Sequence, residues 1–335
     1  MKASVIVPTH NRENILSRVL AYYCLQSASK DSFEVVIVDD GSTDKTASLF
    51  KELNDIDDYT KKPRIVKYLG KIVSVKNGLY KASENDALRS GLEPVNLKYI
   101  QLKKSGRSVS RNMGILFSSN PLVIFADDDI FAEHGFVEKH IEAHSPDDSL
   151  VIMGRVIHTK DLEEPLSARW KLKDINTAFL ATGNASVLKK HLIEAGLFDE
   201  DYTVYGWEDF DLGIHLEKNG LKSQKRNICG YHYNPPEKSL QPGATYRKEK
   251  ERGFTAVYFY RNHPVRWVKR FTLIDNRVLK ALFGLLGCRN WFLSRRRISF
   301  LRGFLRLVIR YKGYFDGIDE GIKRYIGSGQ GVETK

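Results

Sequence analysis

An apolar run, Leu122-Val-Ile-Phe-Ala126, stops at three consecutive aspartates, Asp127, Asp128 and Asp129. A run of that length with polar flanks reads as a buried strand. Three carboxylates at one point repel and raise one another's pKa unless a cation lies among them. Carboxylate oxygens are the donors that suit Mg²⁺ or Mn²⁺. A strand ending in such a cluster delivers it where ligands bind in an open α/β sheet. On the run alone, a solvated acidic turn accounts for these residues as well as a metal site does.

The strand does not stand by itself. Residues 4–7 form a short apolar strand, 8–12 a polar loop, and 13–25 carry helical spacing through Ile15, Val19, Leu20 and Tyr23. Residues 33–38 predict the next strand, ending in Asp39-Asp40-Gly41-Ser42, where Ser42 or Thr43 can cap a helix running to about residue 53. A strand near 98–102, a loop and helix over 106–120, the strand into the aspartates and a helix over 133–144 continue the alternation. Such alternation implies an α/β fold with a mostly parallel sheet and right-handed crossovers. Residues 54–97 break the rhythm and read as an insertion, with a helix around 80–90. Further on, the pattern predicts a strand at 150–157, a helix over 187–195, a helix from the Gly206-Trp-Glu-Asp segment to Asn219-Gly220, and a loop at Tyr231-His-Tyr-Asn-Pro-Pro236. Beyond about residue 246 the pattern is helical, and 327–335 read as frayed.

A chain of 335 residues suits one large domain or two ordinary ones, and 42% hydrophobic with 28% charged residues is globular composition. Cys24, Cys229 and Cys288 are far apart, form no metal or disulfide framework, and predict a reducing compartment. No secretory leader and no run of the ~18 apolar residues needed to cross a bilayer is expected. The net charge of +12 is uneven: residues 261–312 hold 14 Lys or Arg against Asp275 alone, so the rest of the chain sums to −1. Basicity here is a property of one segment and does not argue for nucleic-acid binding by the whole.

A second acidic cluster, Glu208-Asp209-Phe210-Asp211, sits at a helix start, where dipole capping explains one or two acids. Capping does not explain Trp207 before them. A carboxylate held ionised there can serve as a general base. His232, between two tyrosines, reads first as a hydrogen-bonded structural residue, and with the aspartates it can complete a mixed nitrogen and oxygen site for Mn²⁺. Arg107 and Arg111 beside small residues at a helix start fit phosphate, with a solvated helix as the bland alternative. Asp39-Asp40 after Val-Ile-Val also fits a phosphoacceptor receiver domain, but that fold would end near residue 120 and leave the later acids without purpose.

Taken in order, Val5-Ile-Val-Pro-Thr-His-Asn-Arg12, Val36-Ile-Val-Asp-Asp-Gly-Ser-Thr-Asp44, Gly106-x4-Arg-Asn112 and Asp127-Asp-Asp129 resemble the family 2 glycosyltransferases of GT-A fold. Gly183-Asn184, Gly196-Leu-Phe-Asp-Glu200 and Trp207-Glu-Asp-Phe-Asp-Leu212 look like the C-terminal catalytic segment of galactosyltransferase-type members. The resemblance covers roughly residues 3–235. It implies a Rossmann-like GT-A domain over 1–245 interrupted at about 54–97, a helical extension over 246–335, a UDP-sugar donor and a divalent cation, Mn²⁺ or Mg²⁺. By this resemblance Pro8, Thr9 and Arg12 line the nucleotide pocket, Asp39 meets the base, and Arg111 lies near the phosphates. Asp127 approaches ribose or metal, Asp129 binds the metal, and His232 is a third ligand. Gly183 and Asn184 sit by the donor sugar, and Asp128 and Trp207 count with the donor-binding residues. Asp209 is the general base of an inverting displacement and Glu208 holds the acceptor, a glycan or lipid-linked hydroxyl.

Two other readings compete. A sugar-nucleotide pyrophosphorylase would want a glycine-rich N-terminal loop, and Pro8-Thr-His-Asn-Arg12 has no glycine. An inactive scaffold would not need the acids at 127, 129, 208 and 209. In the basic segment, Arg302, Arg306 and Arg310 recur every four residues, apolar residues from Phe300 to Ile309 fill the other faces, and Trp267, Phe271, Trp291 and Phe292 add aromatics. This pattern favours an anionic membrane surface as partner over helices packed on the catalytic domain. It places the protein in the cytoplasm, peripheral on the inner face of the cell membrane. A nucleic-acid partner is not expected.

Overall fold

The computed structural model describes residues 1–61, 63–82, 92–144, 147–174, 176, 178–235, 242–287 and 299–327. They form two compact units, one of residues 1–200 and 209–235, the other of 201–208 and 236–335. By compactness the division falls at 235, and the short segment 201–208 groups with the second unit.

The first unit is built on a ten-stranded mixed sheet ordered β3-β4-β5-β2-β1-β6-β9-β8-β10-β7. Its centre is the expected parallel set, β5 (Val95–Leu102), β2 (Phe33–Asp40), β1 (Ala3–Thr9) and β6 (Leu122–Ala126). These strands alternate between two cores. Val5, Val7, Val35, Ile37, Leu122 and Ile124 enter one, and Ile6, Val36, Val38, Val123 and Phe125 the other. Burial on both faces is why the sequence shows unbroken apolar runs here instead of period-two alternation. Helix α1 (Glu13–Cys24) follows β1, and α2 (Arg107–Phe117) links β5 to β6. Gly114 of α2 lies so close to the sheet that a Cβ there would stand 2.3 Å from Ile6 Cγ2.

Antiparallel strands extend the sheet on both sides, and here the sequence expectations need correction. The insertion is not shapeless: β3 (Asn54–Asp55) and β4 (Ile72–Tyr80) add an antiparallel edge to β5. Most of β4 is exposed or half-exposed, so it lacks the apolar signature of a central strand. Tyr80 ends that strand, and 83–90 of the helix expected at 80–90 lie outside the described residues. The stretch following Asp44 is a 3-10 turn, Lys45–Phe50, and its cap is Asp44 itself, whose Oδ1 accepts from Thr46 N at 2.9 Å. The helix expected over 187–195 starts only at Lys189, as α4 (Lys189–Glu194), because Asn184–Leu188 is strand β9, paired antiparallel with both β6 and β8 (Leu150–Thr159). Tyr231–Tyr233 are not loop but the end of β10 (Lys222–Tyr233), parallel to β8 and antiparallel to β7 (Ile130–Ala132). Helix α3 (Phe136–Ala143) follows β7, and α5 (Glu208–Lys218) precedes β10.

The second unit contains α6 (Pro242–Asn262), α7 (Arg266–Phe271), α8 (Arg277–Gly287) and α9 (Ser299–Tyr325). Residues 288–298, with Trp291 and Phe292, and 328–335 lie outside the described residues. α6 and α9 cross at backbone contact: a Cβ on Gly253 would stand 1.9 Å from Tyr314 O, and one on Gly317 1.9 Å from Lys250 O. Arg310, expected in an open basic stripe, is instead bonded through Nε to Glu249 Oε1 at 3.0 Å. Of that stripe, Arg306 is exposed and the Arg302 side chain is not described. None of the described helices is long and apolar enough to cross a membrane.

Candidate functional site

The carboxyl ends of β1, β2 and β6 lie side by side because these strands are parallel and in register, Thr9 opposite Asp39 and Ile6 opposite Phe125. Loops leaving one edge of the sheet therefore bring Thr9, Arg12, Asp39 and the three aspartates into one region. Thr9 Oγ1 donates to Asp128 Oδ2 at 2.8 Å. The Arg12 guanidinium lies 3.4 Å from Asp129 Oδ2 and 3.9 Å from Asp128 Oδ1. Arg111, nearly buried in α2, lies 3.6 Å from Asp127 Oδ1 and over the Phe198 ring at 5.6 Å.

The three aspartates are not equivalent. Asp127 is the open one, its side chain 41% exposed, and a Cβ on Gly183 would stand 3.5 Å from its Oδ2. Asp128 points inward, and burial, followed by the neighbouring Asp129 charge, pushes its carboxyl up to about 7 against the opposing pull of Arg12 and Thr9. It ties the turn after β6 to the end of β1 and the loop that follows. Asp129 Oδ1 stands 3.0 Å from His232 Nε2.

Strand pairing makes that last contact. Antiparallel β7 and β10 set His232 opposite Ile130, and Tyr233 N donates to Asp129 O at 2.9 Å. On the other side, β8 sets His158 opposite His232, with ring centroids 5.2 Å apart. His158 Nδ1 is in turn 2.9 Å from Asp174 Oδ1. Two ligands at ~2.1 Å from an octahedral cation and at right angles lie about 3.0 Å from each other, so the Asp129 and His232 pair fits a divalent cation. One hard oxygen and one imidazole nitrogen suit Mn²⁺. Sequence reasoning named His232; the His158–Asp174 support behind it had no local signal.

Several residues expected at the ligand turn out to be engaged within the protein. Asp39 is fully buried; its Oδ2 accepts from Tyr99 OH at 2.7 Å and its Oδ1 from Ser42 N at 2.8 Å. Burial and the facing Asp39 push the Tyr99 phenol up, keeping it a donor. Asp39 thus closes the turn after β2 from behind. Asp40, for which the sequence suggested no role at the donor, accepts from Ser105 N at 2.6 Å and Gly106 N at 3.0 Å, and so joins that turn to the start of α2.

Asn184 is also internal. Its Nδ2 donates to Arg155 O and Ile228 O, both at 3.0 Å, and its Oδ1 faces His140 Nε2 at 2.9 Å. It fills a slot that two glycines leave open: a Cβ on Gly154 would stand 2.3 Å from Asn184 Nδ2, and one on Gly230 3.3 Å from it. The amide fixes the tautomers that follow. With Nδ2 donating twice, Oδ1 accepts, so His140 carries its proton on Nε2, and its Nδ1, 2.8 Å from Ser186 Oγ, accepts the serine hydroxyl. His144 Nε2, 2.9 Å from the same oxygen, then donates. Gly183 borders Asp127, while the Asn184 side chain is engaged with these internal partners.

Trp207, expected with the donor residues, belongs to the second unit. Its backbone is left-handed at φ 71, its ring stacks on Phe259 with centroids 5.3 Å apart, and its Nε1 donates to Arg252 O at 2.8 Å. Glu208, also of the second unit, is buried and accepts from Gly206 N at 3.2 Å. Asp209 belongs to the first unit, is half-buried in the first turn of α5, and accepts from Phe210 N at 3.0 Å.

Outside the expected set, Glu200 is a hub. It accepts from Tyr68 OH and, at 3.1 Å, from Asn112 Nδ2, with Lys67 3.4 Å away. Burial alone would raise this carboxyl, and the hydrogen bonds outweigh it, so the net displacement is downward. Asn112 also donates to Phe198 O at 2.9 Å, which fixes the ring beneath Arg111.

The profile described as "Glycosyl transferase family 2" matches residues 4–85 and 79–192. An uncharacterized glycosyltransferase, YfnE, of Bacillus subtilis (strain 168) is 26% identical over 297 residues, 70% of this chain and 66% of the relative. Chondroitin synthase of Escherichia coli is 23% identical over 279 residues, 70% of this chain and 35% of the relative. The chain thus spans just under two thirds of the first relative and about a third of the second. Among solved structures, S. aureus TarS 1–349 in complex with UDP-GlcNAc aligns with a TM-score of 0.49 at 17% identity, covering 98% of this chain and 93% of that one.

Proposed function

Because the chain belongs to glycosyl transferase family 2, we propose that it transfers a hexose or N-acetylhexosamine from a UDP-sugar to a hydroxyl of a glycan or lipid-linked acceptor, with inversion. The observation that carries this reading is the Asp129–His232 pair at 3.0 Å, next to the exposed Asp127 that Arg111 faces at 3.6 Å. The name of the E. coli relative, chondroitin synthase, supports a glycan acceptor.

Asp129 and His232 are the residues that would hold the cation, and when bound it supplies positive charge to the departing diphosphate. Arg12 and Arg111 add fixed guanidinium charge at the same edge, and their planar forks match phosphate oxygens. Phe198 beneath Arg111 holds that fork in one orientation. Gly183 keeps the space beside Asp127 open for a sugar ring, since any side chain there would point at the Asp127 carboxylate.

In the transfer the acceptor oxygen bonds to the anomeric carbon as the bond from that carbon to the diphosphate oxygen breaks. The hydroxyl proton goes to Asp209, and UDP leaves with the electron pair of the broken bond. One base suffices for this single displacement.

The test is Asp209→Asn. Transfer should fall at least on the order of 1,000-fold while UDP and Mn²⁺ affinities stay within about twofold, since general-base contributions reach roughly 10²–10⁴. Near-normal turnover removes the base assignment. Thermal protection across a panel of nucleotide sugars, with and without Mn²⁺, identifies the donor, and protection by no uridine nucleotide defeats the donor reading.

A further inference from the structure

In the second unit, an open cavity of about 870 Å³ lies between α7 and the start of α8, with Arg266, Arg270, Arg277 and Asn276 on its wall. Asp275 is the one acid on that wall, and it is ion-paired with Lys269. The three arginines are exposed and make no ion pair with a described residue. Leu273, also on the wall, is held at φ 55, a backbone conformation that disfavours a bulky L side chain. α8 starts at the cavity: Asn276 Oδ1 accepts from Leu279 N at 3.0 Å, and the helix presents its positive dipole end there. Three guanidiniums and a helix N-terminus around one opening match a phosphate group.

An apolar surface adjoins it. Val278, Leu282 and Leu285 are 79%, 48% and 77% exposed, and their spacing of four and three puts them on one face of α8. Phe283, on another face, is buried and stacks on Tyr311 of α9 with centroids 4.4 Å apart, so the helix is docked while its apolar stripe stays outward. Trp267 and Phe271 of α7, four residues apart, are 51% and 48% exposed. Contiguous exposed apolar groups beside cations mark a surface used for contact.

We propose that α7 and α8 lie against an anionic phospholipid bilayer, with a headgroup phosphate in the arginine-lined cavity and Trp267, Val278, Leu282 and Leu285 in the interfacial layer. The combination selects the occupant. A soluble polyanion or a nucleic acid would use the arginines and leave the stripe in water, whereas a bilayer meets both. The proposal is independent of the donor-site reading.

The test is flotation of the full chain with vesicles of phosphatidylcholine alone or with about one-third phosphatidylglycerol. Binding is expected only to the anionic vesicles and to weaken with salt. Each of Arg266→Gln, Arg270→Gln and Arg277→Gln should lower partitioning about fivefold. The triple change Val278→Ser, Leu282→Ser, Leu285→Ser should abolish flotation and leave retention on heparin unchanged. Equal binding to neutral vesicles, indifference to the arginine changes, or flotation that survives the serine changes and is competed away by heparin would each overturn the proposal. UDP-sugar hydrolysis in solution, measured on the same preparations, keeps a failure here distinct from a failure of the donor site.

Discussion

Asp129 Oδ1 and His232 Nε2 meet at 3.0 Å although about a hundred residues separate them in sequence. β7 and β10 pair antiparallel so that Ile130 faces His232, and the residue before Ile130 comes under the imidazole. The cluster that ends β6 is therefore completed by β10, the last strand of the chain.

Asp129→Asn and His232→Ala each remove one half of that pair. Metal-dependent turnover should fall on the order of 100-fold or more, since even outer partners of metal ligands are worth 10–100-fold. Mn²⁺ binding followed by electron paramagnetic resonance should weaken in parallel, with the unfolding midpoint little changed. Full Mn²⁺ affinity in both variants would place the cation elsewhere.

Asn184→Ala tests whether that amide is scaffold or donor contact. Removing it strands Ile228 O and His140 Nε2, both buried, and the part-buried Arg155 O. At about 1–3 kcal/mol for each of the two buried groups, the expected loss is roughly 2–6 kcal/mol. Urea unfolding measures it. Unchanged stability with a raised KM for the nucleotide sugar would return Asn184 to the donor.

The same network predicts a pH dependence. Burial pushes His140 down to about 3 and His144 down to about 4, from an ordinary 6.5. Between these values and 6.5 the unfolded chain binds protons that the folded chain refuses. Stability is therefore complete above about pH 6.5 and declines as pH falls toward 4. The slope is at most about 1.4 kcal/mol per pH unit for each histidine. His144→Gln should flatten the urea midpoint against pH over that window; an identical slope would show that other groups carry the acid sensitivity.

In the second unit, Gly317→Ala places a methyl at 1.9 Å from Lys250 O and must push α6 from α9. A loss of about 1–3 kcal/mol follows from such overpacking. Gly303→Ala, on the same helix with nothing within 4 Å, should instead gain up to about 1 kcal/mol. Calorimetry on the pair separates helix propensity from close crossing; equal effects would deny the backbone contact.

The legible parts of the fold share one cause. β1, β2 and β6 are buried on both faces, so their residues are apolar without interruption and the runs show in the sequence. β4 and β9 were misjudged for the opposite reason. β4 lies near an exposed edge, and β9 carries Asn184 and Ser186, polar residues made buriable by His140, His144 and the carbonyls of Arg155 and Ile228. Trp207 stood out by composition beside Glu208 and Asp209, yet its ring is packed on Phe259, because indole area draws it to the nearest apolar core whatever its neighbours do.

By itself the sequence determined the parallel centre of the sheet, the acidic cluster at the end of β6 and the concentration of positive charge beyond residue 261. These follow from local facts: side-chain periodicity, chain order and charge counts. Only the tertiary structure decided that His232 joins Asp129, that Asp39, Asp128 and Asn184 turn inward, and that Arg310 is bound by Glu249. Each of those depends on which strand or helix lies alongside and in what register. Pairing between distant segments is set by the packing of the whole sheet, and no local propensity encodes it.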